Sequence, residues 1–135
     1  MLSRSCTYGL QAVLYLAAQE QSGYVPIRQI SDDLGLSHPF LTKVLQQLTR
    51  KGLMRSLKGP RGGVALAKPA EAMTLSTIVE AIDGPARFEG CILGVPGCGA
   101  ANPCALHARW QPVQSEVLAL FSATSLLDLT TPVKA

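Results

Sequence analysis

Two short helical patterns, at residues 27–34 and 38–51, limit the folds open to this chain more than any other feature, and a three-residue turn that contains one glycine separates them. Apolar residues recur in both patterns at the three- and four-residue spacing of a helix that is buried on one face. Gly35 suits the left-handed residue that ends a helix, and Ser37 followed by Pro39 suits the start of the next helix. The segment therefore predicts a helix-turn-helix.

A glycine-rich basic segment, KGPRGG at residues 58–63, follows the second helical pattern. It lies between two short apolar-containing runs, 53–57 and 64–67, which predicts a β-hairpin of the kind called a wing. Further helical patterns cover residues 8–19 and 74–83. The expected fold is therefore mainly α: a winged helix-turn-helix with a two-stranded wing and a long C-terminal helix.

Much of the C-terminal part of the chain lacks the helical pattern of the N-terminal part. Residues 86–103 contain four glycines and two prolines without helical periodicity, so we expect an irregular loop, and loops of this length are usually functional or disordered. A last helix is predicted from about Cys104 to Phe121, with a short tail from Leu126. These patterns divide the chain into a winged helix-turn-helix domain (1–84), a candidate metal-binding loop (85–104), and a helix with its tail (105–135).

Charge is distributed unevenly along the chain. Residues 1–68 hold nine basic and three acidic side chains, a balance of +6, whereas residues 69–135 hold three basic and six acidic ones, a balance of −3. A basic half joined to an acidic half indicates that the first half meets a polyanion, although a solvated surface with a chance skew gives the same count. No apolar run approaches the length of about 20 residues that a membrane helix needs, so we expect a cytoplasmic protein without a membrane partner.

The second helix of the helix-turn-helix and the wing carry side chains suited to double-stranded DNA. His38, Thr42 and Gln46 can form hydrogen bonds with base edges in the major groove. Lys43 and Arg50 suit phosphates, and Lys58 and Arg61 of the wing suit the minor groove or its phosphates. Ser37 can offer its N–H and hydroxyl to a phosphate. A solvent-exposed helix face that binds nothing, and a wing that is basic only for solubility, would have the same sequence pattern. The predicted DNA contacts are Ser37, His38, Pro39, Thr42, Lys43, Gln46, Arg50, Lys58 and Arg61.

Three of the four cysteines fall within fourteen positions, at Cys91, Cys98 and Cys104, and His107 follows the last of them by three residues. In a reducing compartment such a group is more often a metal or redox site than a disulfide framework. Three thiolates and an imidazole can bind an iron–sulfur cluster or a zinc ion, and spacing alone does not choose between them. Taken by itself, the histidine would be a plain surface residue.

Two further side chains receive less specific assignments. Cys6 lies outside the group of three cysteines and is expected to be a small core or interface residue. Trp110, one turn beyond His107, is expected to contribute packing rather than chemistry.

Together these segments resemble the Rrf2 family of winged helix-turn-helix transcriptional regulators, and most of all its regulators of iron–sulfur cluster assembly. The resemblance runs nearly end to end and is most specific in the wing and the spaced cysteines. It is carried by ISDDLGLSHPFLTKVLQQLTRKGL (30–53), LKGPRGGVALAK (57–68), LSTIVEAIDG (75–84), CALHARW (104–110) and TSLLDL (124–129).

The resemblance implies that Cys91, Cys98, Cys104 and His107 bind an iron–sulfur cluster, with 2Fe–2S preferred and 4Fe–4S left open. It also implies a homodimer in which the last helix, about 106–121, pairs with the same helix of the second subunit. Such a dimer would bind a roughly palindromic operator. The six residues between the first two cysteines exceed the more usual five by one. Pro39 and Thr42 stand where some relatives carry base-reading polar groups, and Thr7 and Gln11 where some carry a ligand from the other subunit.

The sequence therefore predicts a DNA-binding regulator that senses redox, iron or nitric oxide status through a cluster. A zinc- or thiol-based winged-helix regulator is the first alternative. A small iron–sulfur electron carrier is the second, but it would not need the basic half of this chain. No nucleophile–base pair and no phosphate loop is present in the sequence, so we expect neither an enzyme nor a small-molecule substrate.

Overall fold

The structure is a computed structural model that describes residues 2–19, 23–85 and 89–130. Short 3₁₀ helices at Ala70–Ala72 and Leu127–Leu129 accompany the main elements. Within the described ranges, none of the helices has both the length and the apolar content that a bilayer crossing requires. In chain order the main elements are α1 (Arg4–Ala17), α2 (Ile27–Leu34), α3 (His38–Arg50), β1 (Met54–Leu57), β2 (Gly63–Leu66), α4 (Leu75–Asp83) and α5 (His107–Ala123).

The core lies where α1, α3 and α4 meet above the hairpin, because each helix has one apolar face. Ala12 and Val13 of α1, Leu41 of α3 and Ile78 of α4 have no solvent exposure. Full burial of a side chain the size of Val13, Leu41 or Ile78 contributes about 1.5–3 kcal/mol. The helix-turn-helix is thus fixed to a scaffold rather than standing alone.

The helix-turn-helix forms as the sequence predicts. Gly35 ends α2 in the left-handed conformation with φ 67°, and α3 begins at His38 with Pro39 in its first turn. Ser37 occupies the N-cap position, but its side chain makes no capping hydrogen bond, so its hydroxyl is not committed to the helix.

The wing, defined here as β1, β2 and the turn between them, is also confirmed. The strands pair antiparallel from Met54↔Leu66 to Leu57↔Gly63. Val25, in the link before α2, exchanges two backbone hydrogen bonds of 2.9 Å with Val64 and so attaches the wing to the domain. Glycine is required at position 63, because φ there is +151° and a Cβ would lie 2.1 Å from the carbonyl oxygen of Val25.

The last helix begins later than expected. α5 starts at His107, so Cys104 lies before the helix, and the predicted start at about Cys104 is wrong. The cause is local: the N-cap position is held by Leu106, which has no capping side chain. The chain instead turns here, and the backbone N–H of His107 donates to the carbonyl of Cys104 at 3.1 Å.

The segment after α5 is more than a tail. Leu126 is fully buried in the main core, and its N–H donates to the carbonyl of Met73 at 2.9 Å. Val117 and Phe121 of α5 pack against Cys6 and Val79, so α5 rests on α1 and α4. The burial of Cys6 confirms its expected place inside the fold. Residues 86–88 of the predicted loop and 131–135 of the predicted tail lie outside the described residues.

Candidate metal centre and nucleic-acid interface

The three C-terminal cysteines, hereafter the cysteine triad, converge in space. Their Sγ atoms lie within 4.8 Å of one another, and those of Cys91 and Cys104 are 3.5 Å apart. Sulfur ligands on one tetrahedral ion with metal–sulfur bonds of 2.3 Å stand about 3.8 Å apart. All three residues are half-buried. The arrangement is that of thiols able to share a metal centre, as their sequence spacing predicts.

The triad thiols have unequal acidities. A hydrogen bond from the backbone N–H of Val95, helped by the Cys104 thiol, outweighs the opposing effect of burial and lowers the pKa of Cys91 to about 7. At Cys98 the backbone N–H of Cys104 acts in the same direction, but burial and the two neighbouring thiols outweigh it, and the pKa of Cys98 is raised. One thiol is therefore substantially ionised near neutral pH, as a metal ligand must be.

His107 supplies a fourth donor atom beside the triad. Its Nδ1 lies 3.7 Å from the Sγ of Cys98, and the backbone N–H of Cys104 donates to the same sulfur at 3.3 Å. Gly94 and Gly97 adopt left-handed conformations, with φ 71° and 74°, which let the loop fold back on itself. Three sulfurs and one imidazole nitrogen fit either an iron–sulfur cluster or a zinc ion.

A cavity of about 350 Å³ opens beside the triad, between the loop and α5. The side-chain amide of Gln114 donates to the carbonyl of Gly90 at 3.2 Å and fastens the loop to the helix. The indole nitrogen of Trp110 is buried without a hydrogen-bond partner in the part of the chain that the structure describes. The sequence did not predict the Gln114 hydrogen bond or the unpaired indole nitrogen. The lining includes Cys91, Cys98, His107, Trp110, Gln114 and Leu118.

The predicted DNA contacts lie at the surface of α3 and the wing. Five side chains of the α3 segment are exposed, and His38 and Thr42 are half-buried. The hydroxyl of Thr42 donates to the carbonyl of His38 at 2.8 Å, so only its lone pairs remain for a base. Lys58 and Arg61 are exposed at the tip of the wing. The five exposed residues of the α3 segment are Ser37, Pro39, Lys43, Gln46 and Arg50.

A cation from α1 also lies beside the start of α3. The guanidinium of Arg4 stands 5.5 Å from the ring centroid of Tyr8 and 5.3 Å from that of Phe40, and the two rings meet edge to face. Hydrogen bonds from Arg4 and from the backbone of Ser37 lower the pKa of Tyr8. Sequence reasoning missed this group, because Arg4 and Phe40 are brought together only by tertiary packing.

Comparison with known proteins assigns the fold and its family. The model of the Rrf2 family, described as an iron-dependent transcriptional regulator, matches residues 2–132. The chain belongs to the Rrf2 family. The relatives of this Rrf2 protein are transcriptional regulators and not enzymes, in agreement with the sequence prediction.

Among its relatives, an Aquifex aeolicus protein assigned as a helix-turn-helix transcriptional regulator is 34% identical over 96% of this chain and 90% of its own. IscR of Yersinia pestis is 30% identical over 90% of this chain and 74% of its own. The solved CymR of B. subtilis, a global cysteine regulator, has a TM-score of 0.81 at 23% identity, covering 99% of this chain and 98% of its own. This last likeness shows the winged fold alone.

Proposed function

We propose that this Rrf2 protein is a transcriptional regulator whose affinity for DNA depends on an iron–sulfur cluster held by the cysteine triad and His107. The observation that carries the proposal is the convergence of three Sγ atoms within 4.8 Å, with the His107 Nδ1 at 3.7 Å from one of them. The relationship to IscR regulators supports a 2Fe–2S cluster, and 4Fe–4S stays open.

Each ligand residue has a distinct part in holding the group. Cys91, whose pKa is about 7, offers a thiolate at neutral pH. Cys98 accepts a hydrogen bond from the backbone N–H of Cys104, which stabilises negative charge on its sulfur. His107 would bind in its neutral form. When bound, the cluster supplies an electron-accepting centre that oxygen and nitric oxide can attack.

The DNA-facing residues would act as a homodimer on a roughly palindromic operator. In this proposal His38, Thr42 and Gln46 meet base edges, and the phosphate contacts come from the N-terminus of α3 and the cations of α3 and the wing. The +6 balance of residues 1–68 supports the polyanion partner. The proposed set is Ser37, His38, Pro39, Thr42, Lys43, Gln46, Arg50, Lys58 and Arg61. Cytoplasmic location stays a prediction.

A hydrogen bond joins α3 to the helix that precedes the triad segment in the chain. The side-chain amide of Gln47 in α3 donates to the carbonyl of Ile82 at 3.0 Å and lies 3.4 Å from that of Ala81, both at the end of α4. The segment carrying the triad follows α4 directly. In our proposal, a change at the triad shifts the end of α4, and Gln47 transmits that shift to the DNA-reading helix.

A zinc- or thiol-based regulator is the second candidate, and the compactness of the triad favours it. One tetrahedral ion would accept the three sulfurs at separations close to those observed, since sulfurs on one such ion stand about 3.8 Å apart. A solved CymR of Staphylococcus aureus in an oxidised form, 25% identical to this chain with a TM-score of 0.78, gives this candidate a precedent in fold. An electron carrier would have no use for the exposed cations of the wing.

The test is anaerobic purification followed by iron, acid-labile sulfide and zinc analysis with a visible spectrum. We expect iron and sulfide in equal amounts and absorption in the visible, both lost in Cys98→Ala. Cys6→Ala is the matched control, because Cys6 is fully buried among α1, α4 and α5 and is not one of the triad, and it should retain the group. Zinc without sulfide would replace the first candidate by the second. Neither metal in the native protein would contradict both metal-based proposals.

A further inference from the structure

The side chain of Trp110 carries a hydrogen-bond donor that none of the described residues satisfies. Its indole Nε1 is buried, and within residues 2–19, 23–85 and 89–130 it has no hydrogen-bond partner. Nearly all buried donors in folded proteins are paired, because an unpaired one loses its bonds to water and gains nothing in return. Such an exception calls for an acceptor from outside the described residues.

The surroundings of Trp110 indicate what that acceptor is. Trp110 lines the same cavity as Cys91, Cys98 and His107. It lies three residues after His107 in α5, which places the two side chains on one face of the helix. The amide of Gln114, which lines the cavity as well, donates to the carbonyl of Gly90. A side chain with an unused N–H therefore lines the same cavity as the sulfur ligands.

We propose that Trp110 donates an N–H···S hydrogen bond to the metal-bound sulfur group in this cavity and tunes its reduction potential. The inference rests on the proposed function, since it needs a cluster at the triad. Reduction adds negative charge to the sulfurs, and a fixed donor interacts more strongly with the more negative state. The hydrogen bond thus favours the reduced form, which is one of the known controls on cluster potentials.

Trp110→Phe tests the proposal, because it keeps an aromatic ring and removes the N–H. In redox titrations of the anaerobic protein, we expect the reduced-to-oxidised ratio at a fixed potential to fall about tenfold, which is 59 mV for a one-electron couple. Iron and sulfide content should stay at the wild-type level. Leu118→Met is the matched control: it changes the lining of the same cavity without removing the indole N–H or the Gln114 hydrogen bond to the loop, and its potential should stay that of the wild type.

A second measurement does not depend on how well the variant folds. Trp110 is the only tryptophan in the chain, so the ultraviolet resonance Raman bands of indole report on it alone. We expect the band sensitive to N–H hydrogen bonding to shift when the metal-free protein is loaded with its cluster.

The outcomes separate the two proposals. Equal potentials in the wild type and Trp110→Phe, with an indole band that does not move on loading, would overturn this inference while leaving the cluster in place. Such a result would mean that water satisfies the N–H or that Trp110 only packs. Absence of iron and sulfide from the wild-type protein would overturn the proposed function and this inference with it.

Discussion

At the scale of single residues, the cysteine triad divides its chemistry unevenly. The Cys91 thiol receives a backbone hydrogen bond that lowers its pKa to about 7, while the Cys98 thiol, beside two other sulfurs, has a raised pKa. The thiolate is the nucleophile and the metal ligand, so Cys91 is ready to bind metal or react with an electrophile at neutral pH. Cys98 becomes a ligand when a metal displaces its proton.

The difference between these thiols can be measured in metal-free, reduced protein. Because a lowered pKa populates the thiolate at lower pH, we expect the alkylation rate of Cys91 to rise through a midpoint near pH 7. Cys98 should react only as the pH passes about 9, the ordinary pKa from which its own is raised. Timed iodoacetamide labelling with peptide mass analysis gives both profiles, and buried Cys6 is the unreactive control. Equal rates at neutral pH would contradict this assignment.

At the scale of elements, the wing and α3 contribute to binding in different ways. The wing presents Lys58 and Arg61 on a glycine-framed turn, and contacts of a cation with phosphate release counterions rather than read sequence. The outward face of α3 offers hydrogen-bonding side chains to base edges. The two elements should therefore differ in their dependence on salt and on DNA sequence.

Replacing both wing cations tests that division. In Lys58→Ala/Arg61→Ala we expect weaker binding to all duplexes. The salt-dependence slope should fall by about 3.6, since the proposed dimer loses two phosphate contacts from each subunit and each contact contributes about 0.9. Titrations by fluorescence anisotropy over a range of salt concentrations measure the slope. Arg109→Ala removes an exposed cation from α5 instead and should leave the slope unchanged. An unchanged slope in the double variant would place the wing away from the DNA.

Gln47 of α3 donates a hydrogen bond to the carbonyl of Ile82 near the end of α4, and it offers a test of coupling. In Gln47→Leu we expect the ratio of DNA affinities between metal-loaded and metal-free protein to move towards one. The physical reason is that the carbonyls at the end of α4 no longer bond to α3. Gln46→Leu, on the adjacent exposed position, should weaken both states alike and keep the ratio. A wild-type ratio in Gln47→Leu would show that coupling takes another route.

The local secondary structure was predictable from the sequence, and the contacts between distant segments were not. Gly35 and the glycines of the wing fix backbone conformations that few other residues adopt, so α2, α3 and the hairpin could be recognised from neighbouring residues alone. The start of α5 was predicted too early, at about Cys104 instead of His107, because no capping side chain marks the start of this helix. The burial of Leu126 and the stacking of Arg4 on Phe40 depend on how distant segments pack, which no local pattern encodes.

At the scale of the whole molecule, α5 has more apolar surface than its own chain covers. Val117 and Phe121 pack on the domain, but Val113 is 46% exposed and Leu120 60% exposed. Leu118 is 40% exposed at the edge of the triad cavity. An apolar helix face left open in this way suits the proposed pairing with a second copy.

A charge on that face should separate the copies. We expect Leu120→Glu to sediment as a monomer at concentrations where the wild type is a dimer, because pairing would bury an unpaired carboxylate. Analytical ultracentrifugation gives the result directly. Leu57→Glu, at a comparably exposed apolar residue on the wing, should leave the dimer intact. A wild-type sedimentation profile for Leu120→Glu would remove α5 from the interface.

The central claim is that a sulfur-ligated metal centre in the C-terminal half sets how tightly the N-terminal half holds DNA. Its most direct test compares the anaerobically purified protein with the same preparation after metal removal, on duplexes selected from a random pool by each form. A coupling of about 1–3 kcal/mol predicts affinities that differ about 5- to 150-fold between the two states. Equal affinities of both states for every selected duplex would contradict the account.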